Sequence, residues 1–308
     1  MRREVRALAR VRHPNVVRLY GACIEQPPCL VMAFATGGAL DDAVREGRFA
    51  SNAAVVTLLA GIARGMEAVH AHKIIHLDLK PENVLLSAEN VPWVTDFGLS
   101  TSSNLTSMST SSVGGRGTIY YKVSSAPRSP HPPAPGRLPH LQEVPHMRPV
   151  PNGHTARSRR HPNSSPAPPI VSASADIYAY AILAWVVCTR EQPYRNLQSA
   201  ETAMAAMLMQ GVRPEVPGGD DWRDSTTTGL AKLIETCWQT EPTARPTFGG
   251  GEGVVAVLAG LEARLLKKDE DATVETMLSR MWTAESEKAV TAALINIICL
   301  MRSPLPPS

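Results

Sequence analysis

The chain has 308 residues, 44% hydrophobic and 19% charged, and a net charge of +3. That composition suits a soluble protein with its own core, folded as one large domain or two small ones. The charge is too small to argue for a nucleic-acid partner. The longest apolar run, 177–188, is too short to cross a bilayer, so no membrane partner is expected, and Met1 leads into charged residues rather than a signal peptide. Five cysteines (Cys23, Cys29, Cys188, Cys237 and Cys299) show no Cys-x-x-Cys pairing, which suits a reduced, cytoplasmic setting.

The chain opens with a short helix predicted over 3–12. Two strands follow over 16–23 and 29–34, separated by a turn holding Pro27 and Pro28. Gly37 and Gly38 break the chain before a short helix at 40–46. Over 52–71 the apolar residues Val55, Leu58, Leu59, Ile62, Met66 and Val69 share one helical face, with Ser51 or Asn52 available as N-cap. Short strands are predicted at 84–86 and 92–95, ahead of a Ser/Thr-rich loop over 100–112. His70 and His72 read as helix-end residues, favourable beside the negative end of the helix dipole.

The stretch 123–171 is of another kind. It holds half of the chain's 26 prolines and five of its nine histidines, with Glu143 its sole acid. Such a segment cannot bury enough apolar surface to offset the entropy of ordering, so disorder is expected. Helices are predicted to resume over 174–189, 200–210, 228–239 and 253–267. One or two amphipathic helices should follow, with Val290, Ala293, Leu294, Ile297 and Met301 at helical spacing.

The chemistry concentrates in His76-Leu77-Asp78-Leu79-Lys80-Pro81-Glu82-Asn83, followed by Asp96-Phe97-Gly98. A carboxylate, a lysine, an amide and a second carboxylate on two neighbouring turns suit phosphoryl transfer. That reaction asks a protein to place a metal-bound phosphate, neutralise its charge and orient a hydroxyl. The spacing of these two blocks resembles that of the eukaryotic protein kinases, and the resemblance extends over 4–122 and 173–261. Lys80-Pro81-Glu82-Asn83 resembles the serine/threonine pattern. Gly21-Ala22-Cys23, Cys237-Trp238 and Arg245-Pro246-Thr247-Phe248 resemble the tyrosine-kinase-like group.

The resemblance implies an α+β protein-kinase-like fold, mainly the helical C-lobe with a residual N-lobe of a helix and two strands. The divisions it implies are a residual N-lobe over 1–36, C-lobe segments over 37–122 and 172–267, the insert at 123–171 and a helical tail at 268–308. It implies Asp78 as catalytic base and Lys80 as the lysine that steadies the transferring phosphate, with Asn83 and Asp96 binding Mg. Glu4 is implied as the helix glutamate that pairs with the ATP lysine. Met32, Ala33, Phe34 and Ala35 would line the adenine strand and hinge, with Leu85 on the pocket floor. Leu8, Leu19, His76 and Phe97 would stack as a spine, and Asp176 would hold the catalytic loop from below. The activity implied is transfer of phosphate from ATP to a serine or threonine of a protein substrate. A catalytically inactive binding or scaffold module is the alternative.

Departures from the family pattern set further expectations. The residues given hold no counterpart of the glycine-rich loop or the ATP lysine; the first lysine is Lys73. Leu77 stands where the family has an arginine. Val123-Ser124-Ser125 stands where Ala-Pro-Glu is expected, which removes the glutamate that would pair with Arg245. A buried charge left that way costs about 3–5 kcal/mol. The abrupt loss and recovery of pattern around 123–171 reads as inserted sequence of the retained-intron kind.

Overall fold

A computed structural model describes residues 2–23, 29–102, 147–149, 172–195, 211–216 and 225–282. Their elements, in chain order, are α1 (Arg2–Leu8), β1 (Leu19–Cys23), β2 (Cys29–Met32), β3 (Gly38–Ala39), α2 (Leu40–Arg45), α3 (Asn52–Ala71), β4 (Ile74–Ile75), β5 (Val84–Leu86), β6 (Pro92–Val94), β7 (Thr101–Ser102), β8 (Met147–Pro149), α4 (Ser174–Thr189), β9 (Val212–Pro214), α5 (Ser225–Cys237) and α6 (Val254–Trp282). The chain divides into two compact units, Met1–Leu261 and Glu262–Ser308.

Helix α3 is the spine of the first unit. Ser51, in extended backbone, caps it by accepting the Ala54 N–H at 3.2 Å, and Lys73 ends it in the left-handed conformation (φ 59°). The apolar stripe seen in the sequence is buried, and burial extends to Val56, Ala60 and Ala63. Among the described residues, α3 is the one helix long and apolar enough to cross a membrane. Its burial in the core accounts for that composition. Gly61 and Gly65 form a notch in it. A Cβ at Gly65 would lie 2.5 Å from the Asn15 carbonyl oxygen, and one at Gly61 would lie 2.6 Å from Pro92. The notch lets Asn15 and β6 approach the helix closely. Asn15 is buried there and donates from Nδ2 to the Pro92 carbonyl at 3.0 Å.

Helix α4 is buried from Ala175 through Val187, as a helix enclosed on all sides must be. Tyr180 donates to the Leu59 carbonyl of α3 at 3.0 Å and meets Phe248 edge-on at 5.4 Å. On its far side α4 packs against α5, whose buried face is Leu230, Leu233, Ile234 and Cys237.

The sheets are small. β1 pairs antiparallel with β2, β5 lies between β3 and β6, β4 pairs with β7, and β8 pairs with β9. The predicted strands are shorter than their patterns. The strand expected over 16–23 begins at Leu19: the Val17 N–H donates to the Val94 carbonyl and the Val94 N–H to the Asn15 carbonyl, which ties this segment to β6 instead. Helix α1 stops at Leu8 rather than continuing to 12, and α6 runs through Asp269 to Trp282 rather than ending at 267. Within the segment expected to be disordered, Met147–Pro149 pairs with Val212–Pro214. The rest of that segment, the helix expected at 200–210 and the stripe from Val290 to Met301 lie outside the described residues.

Arg245 is buried but well supplied with partners. Its guanidinium donates to the carbonyls of Gln239 (2.7 Å), Ser174 (2.9 Å) and Thr240 (3.3 Å), and lies 5.2 Å from the centre of the Tyr178 ring. Burial lowers its pKa to about 10, so it remains a cation at neutral pH. Backbone carbonyls and an aromatic face are thus among its partners.

Candidate active site

The loop between β4 and β5 carries the site. His76 and Leu77 point their backbone N–H groups at one carboxylate, that of Asp176 in the first turn of α4, both at 2.8 Å. A third donor reaches the same carboxylate from α3, His70 Nε2 at 2.8 Å. Asp176 is fully buried. Burial alone would raise its pKa, but the His70 hydrogen bond, the His70 and His76 charges and the His76 N–H outweigh it, and the pKa is lowered. The result is a buried anion bonded to two different parts of the chain.

This anchor explains a strained residue. Leu77 adopts φ 69°, a region disfavoured for a residue with a branched side chain, at a cost of about 1–3 kcal/mol. The hydrogen bonds to Asp176 hold it there, so the next residue, Asp78, leaves the loop in a fixed direction. His76 is fixed as well. It donates from Nε2 to the Thr95 carbonyl (2.9 Å), accepts the Asp78 N–H at Nδ1 (3.2 Å), and packs its ring 4.7 Å from that of Phe97. With Leu8 and Phe97, His76 is buried; Leu19 is half-buried.

Asp78 is the centre of the arrangement. Its Oδ2 accepts from Asn83 Nδ2 at 2.9 Å and lies 3.3 Å from Lys80 Nζ. Asn83 Nδ2 also donates to the Asp78 carbonyl at 2.8 Å, which closes the short 3-10 turn Pro81–Asn83. Asp78 Oδ1 is buried and has no hydrogen-bond partner among the described residues. Such an orphaned acceptor is costly unless a donor arrives from outside.

The Thr95 N–H donates to the Asn83 carbonyl at 3.0 Å and so brings Asp96 beside this turn. Asp96 is left-handed (φ 59°), exposed, and caps the Phe97–Leu99 turn by accepting the Gly98 N–H at Oδ1. The segment after it is pinned where Thr101–Ser102 pairs with Ile74–Ile75. Helix α1 packs against the same turn. Glu4, on α1, has its pKa raised first by burial and then by the nearby Asp96 charge. The Asp96 charge is thus felt on α1.

The remaining expected residues lie at the end of β2, just beyond it, and on β5. Met32, Ala33 and Ala35 are half-buried, while Phe34 is 85% exposed. Ala33 N–H donates to the Arg18 carbonyl at 2.9 Å, which turns the strand end. Leu85, in the central strand β5, is half-buried opposite Trp93 and Ala39. Sequence reading missed the role of His70. Its spacing of four from Met66 put it on the buried face of α3, and that was the available signal.

The order of parts is the buried carboxylate with its lysine and amide, then a second carboxylate on the next turn, with an aspartate from a distant helix beneath. Residues 1–123 match the family model for the protein kinase domain, and residues 165–250 match that for protein tyrosine and serine/threonine kinases. Together the two matches cover more than half of the chain. This chain belongs to the protein kinases.

Among curated proteins it is similar to a probable serine/threonine-protein kinase of Dictyostelium discoideum, 29% identical over 249 residues (80% of this chain, 22% of that one). It is 28% identical to the serine/threonine-protein kinase STY17 of Arabidopsis thaliana over 80% of this chain and 35% of that one. It is also 28% identical to mitogen-activated protein kinase kinase kinase 12 of Rattus norvegicus, over 80% of this chain and 22% of that one. The chain thus spans between about a fifth and a third of the length of these relatives. The stretch between the two kinase matches, 124–164, falls inside the proline-rich segment.

Proposed function

We propose that this protein transfers the γ-phosphate of ATP to serine or threonine hydroxyls of a protein substrate. The observation that carries the reading is the buried, donor-free Oδ1 of Asp78. An incoming hydroxyl would supply the missing hydrogen bond. As the hydroxyl oxygen bonds to the γ-phosphorus and the bond to the β-phosphate oxygen breaks, the proton passes to Asp78 and ADP leaves. Lys80, held beside the same carboxylate, offsets charge on the phosphoryl oxygens in flight.

The donor set fits magnesium. Asn83 uses its Nδ2 on Asp78, which leaves its Oδ1 as a hard ligand, and Asp96 offers the exposed carboxylate. Among the described residues no cluster of three or more His, Cys, Asp or Glu could form a cage by itself. That is in keeping with a metal held by one or two side chains and completed by phosphate and water. Such a metal supplies neutralisation of phosphate charge.

For the adenine, the strand end Met32–Ala35 offers a backbone edge. Among the described residues, neither the Ala33 carbonyl nor the Ala35 N–H bonds to another backbone group, and an acceptor and a donor two residues apart complement the edge of a purine. Leu85 would lie under the ring. Protein substrate, ATP, magnesium and a cytoplasmic setting all belong to this proposal.

The test is phosphate transfer from labelled ATP to a generic protein substrate, with magnesium present or chelated. Magnesium-dependent transfer to serine or threonine is expected, and Asp78→Asn should lower it about 100-fold or more while leaving the fold intact. Absence of magnesium-dependent nucleotide binding would overturn the reading and leave a scaffold role.

A further inference from the structure

The hairpin β1–β2 carries a feature outside the phosphotransfer chemistry. Its register places Ala22 opposite Leu30 and Cys23 directly opposite Cys29. Directly opposed residues of an antiparallel pair have Cα atoms about 4.5–5.5 Å apart, inside the span of about 4.4–6.8 Å that a disulfide requires. Their Cβ atoms stand on the same face, about 4.5–5.5 Å apart, and must close by roughly an ångström to reach disulfide geometry. The pair sits at the loop end of the hairpin, where strand ends adjust most easily.

Both thiols are free and exposed, on the face that also presents Val31, 53% exposed. The contrast with the interior cysteines is sharp. Burial pushes the Cys188 and Cys237 thiols up to about 12, which withholds the thiolate that oxidation needs. Among the described cysteines, Cys23 and Cys29 alone combine access with a partner.

We propose that Cys23 and Cys29 form a reversible redox-modification site, closing to a cross-strand disulfide when a hydroperoxide reaches the hairpin. One thiolate attacks the peroxide, forming an S–O bond as the O–O bond breaks; with hydrogen peroxide, water is released. The second thiolate then attacks the resulting sulfenic sulfur, the S–S bond forms, and the oxygen leaves as a second water. Two thiols and one hydrogen peroxide give one disulfide and two waters, and a dithiol reductant reverses the change. Strand β2 runs from Cys29 straight to Met32, so the bond would fix the register of the segment leading to Met32. The inference stands apart from the phosphotransfer reading.

The experiment uses the full 308-residue chain, treated with hydrogen peroxide, quenched, alkylated in denaturant without reduction and digested. Cys23 and Cys29 lie on one tryptic peptide, 19–45, with Glu25 between them. After oxidation this peptide should be lighter by two hydrogens and closed to alkylation. Cleavage after Glu25 should leave its halves joined until a dithiol is added. Cys23→Ser and Cys29→Ser should each abolish the product. Closure in native buffer should outpace closure in concentrated urea by about tenfold, because the register supplies the effective concentration. Amides of Leu30–Met32 should exchange more slowly in the oxidised form. Free alkylation of both cysteines, linkage to Cys299 or to a second chain, or equal rates with and without urea would each overturn the proposal.

Discussion

The loop that carries Asp78 and the hairpin β1–β2 are held by different physics. The loop is strained at Leu77 and is fixed from beneath by a buried anion with three donors. The hairpin is a two-stranded ribbon with Tyr20 and Val31 exposed, 64% and 53% respectively. The loop is bound to distant, buried groups, whereas the hairpin, the edge proposed to take adenine, rests on a local pairing that alone is marginal in water. The loop should therefore fail abruptly when its anchor is touched, and the hairpin should tolerate change.

Asp176→Ala is the harshest way to break that contrast. It strands the N–H groups of His76 and Leu77 in the interior and releases the strain at Leu77. A loss of about 3–5 kcal/mol in urea unfolding is expected, with transfer activity abolished. A loss under 1 kcal/mol would show that the loop holds itself. Next comes the notch in α3. Gly65→Ala places a methyl group 2.5 Å from the Asn15 carbonyl oxygen, where backbone cannot yield cheaply, so about 1–3 kcal/mol should be lost despite alanine's better helix propensity.

Acid sharpens the comparison. The folded pKa of Asp176 lies below its ordinary 3.8, so its contribution is full above that value and is lost as pH falls through the lower, folded pKa. Urea midpoints should hold steady from pH 6 to about 4.5 and fall as the pH drops below about 4. Asp176→Asn should flatten that limb. A limb unchanged in the variant would assign the acid sensitivity elsewhere. The smallest effect belongs to the hairpin side: Phe34→Ser, at 85% exposure, should shift stability by no more than about 0.5 kcal/mol.

Much of this was legible before any coordinates. The face of α3 announced itself through period 3.6, and the residues around Asp78 through a chemical grouping that few reactions require. What sequence could not display was the company those residues keep. The carbonyls that Arg245 donates to could not be foreseen, because backbone acceptors leave no mark in a sequence. His70 does lie in the last turn of α3, as expected, but its bond to Asp176 could not be foreseen because that acceptor lies 106 positions away. Leu77 drew notice for the arginine it replaces, although its left-handed backbone is the more telling feature. Strand length was overread at 16–17 because Val17 donates across to Val94 of β6, a tertiary choice that local pattern does not encode.

The bond between the His76 N–H and Asp176 spans 100 positions of chain, and this has a consequence on the ribosome. A nascent chain grown only as far as Asn83 and Asp96 already contains every side chain of the proposed chemistry, yet nothing keeps Leu77 in its disfavoured conformation. At about 5–20 residues per second, another several seconds of translation pass before α4 emerges to close the loop. Until then the unfinished polypeptide holds those side chains without their geometry, and the geometry comes with the docking of a helix that carries none of them.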